Sequence, residues 1–192
     1  MKRFVVLAWV AAAILIHATA SDALTVRVTS ASAALGAPAP VDVFVDDVDI
    51  TRGVGSYDIT LGFDPAIVSF DSASAGAALG FGTGLLATPG VNSVGLAEVS
   101  FESPFDLLAL QAPSFRLHTL LFRAIAAGTS TISVDSLLFF DAFGAPLLAA
   151  AVADGAITVV AISEPDSLML MSGGLLTLLT SIAFKLYRVR RS

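Results

Sequence analysis

No cysteine occurs in the 192 residues of this chain. Disulfide stapling, thiol catalysis and cysteine-ligated zinc are thereby excluded, and any fold must be held by its core alone. Histidine is almost missing: His17 and His118 are the two imidazoles, so general-base chemistry near neutrality has little to draw on. Positive charge is scarce too. Between residues 21 and 162 the bases are Arg27, Arg52, Arg116 and Arg123 against fourteen carboxylates, a net charge of −10 hidden by the whole-chain figure of −6. Nucleic acid needs Lys and Arg facing its phosphates, and such an acidic segment argues against it.

The remaining bases lie at the two ends. Lys2 and Arg3 precede the apolar stretch Phe4 to Ile16, and Ala18-Thr19-Ala20 follows. A charged start, a short apolar run and small residues describe a secretory signal, with Ala18 and Ala20 forming the signal-peptidase site and cleavage after Ala20. His17 leaves with it. At the other end, Ser163-Glu164-Pro165-Asp166-Ser167 precedes the uncharged 17-residue run Leu168 to Phe184, and Lys185, Arg188, Arg190 and Arg191 follow. A helix of that length rises about 25 Å, slightly short of a hydrocarbon core of about 30 Å. The Lys185 stem extends its reach, and the basic tail stays on the cytoplasmic side. A transmembrane helix over 168–186 is expected, with everything before Ser163 facing outward. Gly173 and Gly174 suit close approach of a partner helix. The competing readings are a buried C-terminal helix and a permanent, uncut anchor.

This order of polar motif (163–167), span and basic tail (185–192) resembles the PEP-CTERM sorting signal of Gram-negative bacteria. The resemblance implies that an exosortase, a membrane transpeptidase, cuts near Glu164-Pro165 and that the protein passes from the inner membrane to the cell surface or extracellular matrix. Ser163 stands where that family usually has its first Pro. Pro165 has a structural alternative, ending the last strand and opening a helix at its first position.

Residues 21–162 amount to one ordinary domain. Their hydrophobic period is two. Leu24 to Thr29, Val41 to Val45, Gly55 to Phe63, Ile67 to Asp71, Val94 to Phe101, Leu117 to Ala124, Thr129 to Val134, Leu137 to Phe140 and Gly155 to Val160 read as strands. Tyr57, Ile59, Leu61 and Phe63 alternate with Asp58, Thr60 and Gly62, giving one inward and one outward face. Gly, Pro, Ser and Asp fill the gaps as turn residues. An all-β antiparallel sandwich of about nine strands without a convincing helix follows, and Gly76 to Gly90 reads as a long surface loop.

Gly55-Ser56-Tyr57-Asp58-Ile59-Thr60-Leu61-Gly62-Phe63-Asp64-Pro65, then Leu120-Leu121-Phe122-Arg123-Ala124 and the closing Gly155-Ala156-Ile157-Thr158-Val159, resemble a cohesin domain over most of Leu24 to Val160. The resemblance implies a nine-stranded jelly-roll in which the exposed face of one sheet receives a dockerin module. Related carbohydrate-binding sandwiches share these motifs, so a polysaccharide ligand is a second expectation. The single domain without linker repeats departs from a cellulosome scaffold.

For catalysis, His118 would have to serve as the base, and it lies in a strand beside Leu117, packed or edge-exposed. The carboxylates are scattered among turns without the facing pair that glycoside hydrolysis demands. The glycines of Gly80-Phe81-Gly82-Thr83-Gly84 lack the Lys and helix start of a phosphate loop. The chain is therefore expected not to be an enzyme. One acidic cluster, Asp46, Asp47 and Asp49, with Asp42 upstream, is a weak calcium candidate without EF-hand spacing; the alternative is a solvated acidic turn.

Overall fold

Alternating branched and aromatic residues build strands because every second side chain can be buried between two layers while its neighbours face water. The computed structural model describes residues 23–80 and 84–161. The expected signal peptide with Ala18 and Ala20, the motif residues Ser163, Glu164 and Pro165, the span, and the bases Lys185, Arg188, Arg190 and Arg191 lie outside the described residues. Among those described, no helix is long and apolar enough to cross a membrane. The elements are β1 (Ala23–Val28), β2 (Ala31–Ala34), β3 (Pro38–Asp46), β4 (Ser56–Gly62), β5 (Val68–Ala75), β6 (Gly84–Pro89), β7 (Ser93–Val99), α1 (Pro104–Leu110), β8 (Phe115–Ala124), β9 (Gly128–Phe140), β10 (Pro146–Ala153) and β11 (Gly155–Val160).

One layer runs β5-β8-β3-β1 and the other β6-β7-β4-β9, with β11 and β2 continuing beyond the first half of β9. The 13-residue β9 feeds two neighbours on one flank, since Phe140 and Phe139 pair with Pro146 and Leu147 of β10 while 128–132 pair with β11. Between those contacts β10 leaves β9 and runs parallel to β1, so it joins the layers. The start and end of the described chain thus lie side by side, β1 with β10 and β2 with β11, both parallel. Gly155 sits where they cross. A Cβ there would collide with the Thr29 carbonyl, so the crossing requires glycine.

The all-β expectation holds, with four corrections among the described residues. There are eleven strands rather than nine, because β2 and β10 are added, β6 appears and the two runs in 129–140 are one strand. The reading of Gly76 to Gly90 as a loop fails: Gly84–Pro89 is a strand zipped to β7, and Leu79 is buried. β3 begins earlier than Val41. Pro38 and Pro40 are tolerated because β1 pairing reaches only to Val43, leaving one flank of that half-strand without ladder bonds to lose. Finally, α1 exists: Ser103 caps it by accepting from the Asp106 N–H at 3.3 Å, and Pro104 opens its first turn.

Val26, Val41, Val43, Val45, Leu120 and Phe122 from one layer meet Ile59, Leu61, Val94, Leu96, Ile132 and Phe139 from the other. Phe122 is fully buried, edge-on to Phe63 at 5.3 Å and Phe70 at 5.8 Å. Truncation removes both ring contacts and leaves a cavity that rigid strands cannot close. Phe122→Ala is expected to cost about 3–5 kcal/mol in urea unfolding; a loss below about 1 kcal/mol would show that these rings do not form the core's centre.

Candidate functional site

Three polar side chains sit where alternation reserves space for apolar ones. Tyr57 shares the inward face of β4 with Ile59 and Leu61, and Glu98 shares that of β7 with Val94 and Leu96. Tyr57 and Glu98 are direct cross-strand partners. His118 comes from the opposite layer, on the inward parity of Leu120, Phe122 and Ala124. A bulge makes this placement: His118 pairs with Val43 and Arg116 with Phe44, so Leu117 is an extra residue and both Leu117 and His118 turn inward.

The Tyr57 hydroxyl bridges Glu98 Oε2 and His118 Nε2, which are 3.9 Å apart. Nδ1–H of His118 donates to the Ser74 carbonyl of β5 at 3.4 Å, the assignment a carbonyl partner demands. The Tyr57 and His118 rings meet edge-on at 5.5 Å, and Phe139 covers the other side of Tyr57 at 5.7 Å. Burial pushes the His118 imidazole pKa down, outweighing the opposing pull of Glu98 and the Ser74 bond. Burial also raises the Tyr57 phenol, helped by its bond to Glu98. Glu98 Oε1 is buried without a partner among the described residues. With His118 at 0 % exposure, this acid–base set has no access for a substrate and works as a tie between layers. His118 was legible as a strand residue; its partner Glu98 was missed, although the alternation of Val94, Leu96 and Glu98 carries the signal.

The acidic cluster is not gathered into a metal centre. Asp46 points outward from β3, where Arg27 at 2.9 Å and Ser114 bond it and hold its carboxyl below the usual range. Asp47 takes a left-handed φ of 61° and accepts from Thr25 at 3.1 Å. Asp49 closes a turn by accepting from the Thr51 N–H at 2.8 Å and hydroxyl at 2.7 Å, which lower its pKa. Each of the three carboxylates thus has its own partner, and among the described residues no group of three metal-ligating side chains forms.

The two outer faces differ. On the β5-β8-β3-β1 layer, Arg27 pairs with Asp46, Arg116 with Asp42 and Arg123 with Asp71, and the Arg27 guanidinium lies 4.5 Å over the Phe44 ring. On the β6-β7-β4-β9 layer, ladder register aligns Leu86, Ala97, Asp58 and Leu138 in one row and Gly84, Val99, Ser56 and Phe140 in the next. Leu86 is 62 % and Leu138 50 % exposed. The exposed Asp58 carboxylate at the centre has no hydrogen-bond or ion-pair partner among the described residues. At one end of this layer Gly62, Asp64, Asn92, Thr131, Ser133 and Asp135 line a polar cleft of about 390 Å³.

No protein-family model matches the sequence, and no curated protein matches it. Solved structures do. A non-cellulosomal cohesin from the hyperthermophilic archaeon Archaeoglobus fulgidus is 16 % identical with a TM-score of 0.59, over 76 % of this chain and 95 % of that one. The sixth cohesin of Acetivibrio cellulolyticus scaffoldin B, solved with a mutant Cel5 dockerin, is 16 % identical with a TM-score of 0.61, over 72 % and 99 %. A cohesin module from a family 33 glycoside hydrolase of Clostridium perfringens is 8 % identical with a TM-score of 0.55, over 72 % and 96 %. These likenesses show a cohesin-like fold.

The sealed row makes stability pH-dependent on both sides. An unfolded His118 takes a proton near its ordinary value of 6.5 while the folded one resists it, so stability is lost as pH falls below 6.5. An unfolded Tyr57 ionises near 10.0 while the folded one does not, so stability is lost again as pH rises above 10.0. The thermal midpoint should be level between these limits, and Tyr57→Phe should remove the alkaline fall. A midpoint unchanged from pH 7.5 to pH 5.5, values bracketing the ordinary imidazole range, would contradict the row as drawn.

Proposed function

We propose that this chain is an exported, non-enzymatic surface or extracellular-matrix protein whose sandwich binds a dockerin-like protein through the outer face of β6-β7-β4-β9. The observation that carries the binding role is the contrast between faces. One layer neutralises its own charges, whereas the other leaves leucines and an unpaired carboxylate in water. Exposed apolar rows on a rigid sheet mark interaction surfaces, and a lone central carboxylate supplies orientation once a donor meets it. Solved neighbours held by dockerins support the choice of partner class.

Delivery rests on the two ends of the sequence. The signal peptide starts export, the span over 168–186 holds the protein in the inner membrane, and an exosortase cuts near Glu164-Pro165 for transfer to the cell surface. A second reading is a carbohydrate- or dockerin-binding module kept permanently on its single transmembrane helix. The carbohydrate side of it is favoured by the cleft around Asp64, Asn92, Thr131 and Asp135, whose carboxylates, amide and hydroxyl suit sugar hydroxyls.

Two measurements separate these readings. Against a panel of dockerin modules, Leu138→Asp should weaken binding at least about tenfold, as loss of a central apolar contact does, while Leu121→Asp on the other layer should not. Equal binding by both variants would remove the proposed face. The intact mass of protein from a host with its exosortase should end at or near Glu164 and revert to Ser192 when the enzyme is deleted. A tail reaching Ser192 in both hosts would favour the permanent anchor.

A further inference from the structure

The segment between β7 and β8 presents its apolar residues the wrong way round. Of Phe105, Leu107, Leu108, Ala109 and Leu110 in α1, only Leu107 is buried. Phe101 is 72 %, Phe105 77 % and Leu110 52 % exposed, and Phe143 of the β9–β10 turn, 57 % exposed, stands edge-on to Phe105 at 6.2 Å. Looseness does not explain this arrangement. Ser103 caps the helix start, where its hydroxyl also donates to Asp106 at 2.6 Å. Just past the helix end, buried Gln111 accepts from the Val54 N–H at 2.7 Å and donates to the Val54 carbonyl at 2.6 Å. The Phe143 turn is fixed as well: Asp141 accepts from the N–H groups of Phe143 at 2.9 Å and Ala145 at 2.8 Å, and from the Arg52 guanidinium at 2.9 Å. A small domain has no folding reason to hold these aromatic rings rigidly in water.

Charge selects the occupant. Glu102 and Asp106 lie on the same segment, and all four arginines between residues 21 and 162 are engaged by Asp46, Asp141, Asp42 and Asp71. The crest therefore offers apolar rings with negative charge beside them. An anionic lipid surface or a second copy of this crest would meet like charge. A pyranose ring lacks a flat platform, because the Phe105 and Phe143 planes are 81° apart. We propose that the Phe105–Phe143 crest is a second docking surface, for a polypeptide helix whose apolar stripe is flanked by Lys or Arg. Aromatic anchors supply the affinity, and the carboxylates steer approach, so association weakens as salt rises.

The test uses the full chain in nanodiscs of zwitterionic lipid, with empty discs as reference. The probe is a synthetic amphipathic Leu/Lys helix, and a twin with Glu for Lys is its control. The Leu/Lys helix should bind, the Glu twin should not, and Phe105→Ser with Phe143→Ser should weaken binding at least about tenfold. Both rings are exposed, so an unchanged thermal midpoint confirms that the double variant is folded. Leu138→Asp should leave this binding intact, and failure of the crest therefore leaves the sheet-face reading standing. Equal binding by the double variant, equal binding by the Glu twin, or loss through Leu138→Asp would each overturn the proposal. A dimer in sedimentation that the double variant abolishes would assign the crest to self-association and overturn it too.

Discussion

Polar groups enclosed between two apolar layers have little but one another to bond, and the Tyr57 hydroxyl answers that constraint by bridging Glu98 Oε2 and His118 Nε2 across the sandwich. The row does more than fill space. It fixes β4 and β7 of one layer against β8 and β5 of the other by directional bonds, whereas valine and leucine contacts alone tolerate sliding. The same two strands carry Asp58, Ala97 and Val99 on their outer side. Register inside and register outside are therefore one property, since a slip of one residue would expose Tyr57 and bury Asp58.

Charge is distributed with similar economy. The arginines are spent on the outer face of the β5-β8-β3-β1 layer and at the Arg52–Asp141 contact, where they lock loops and strands. What remains is an acidic surface interrupted by apolar patches at the sheet face and at the crest. Such a surface repels its own copies and other acidic proteins while favouring basic partners with matching apolar contacts. The exposed pairs of that outer face contribute little stability, so they are better understood as control of recognition than as reinforcement.

Much of the fold was legible because strand period is a local property. The inward series Tyr57, Ile59, Leu61 fell where expected, and so did the Asp64-Pro65 turn, in which Asp64 accepts from the Ala66 N–H at 2.9 Å. Elements with weak periodicity were harder to see. β6 is Gly- and Ala-adjacent with a proline at its end, and it is a strand because β7 offers a free edge; that is tertiary information. α1 spans seven residues, too few for a helical period to stand out. His118 looked like an ordinary strand histidine because the Leu117 bulge, which depends on two neighbouring strands, sets its direction. The calcium reading of Asp46, Asp47 and Asp49 followed spacing alone, whereas the three carboxylates bond separately, to Arg27 and Ser114, to Thr25 and to Thr51.

The proposed function places a partner on the outer face of β6-β7-β4-β9. Hydroxyl-radical footprinting of the protein on intact cells, compared with the purified protein, tests that claim most directly. Leu86, Val99 and Leu138 are expected to be protected on cells while Phe44 and Leu121 of the opposite layer react equally in both samples. Equal reactivity of Leu86, Val99 and Leu138 in the two samples, or protection of Phe44 and Leu121 instead, would contradict it.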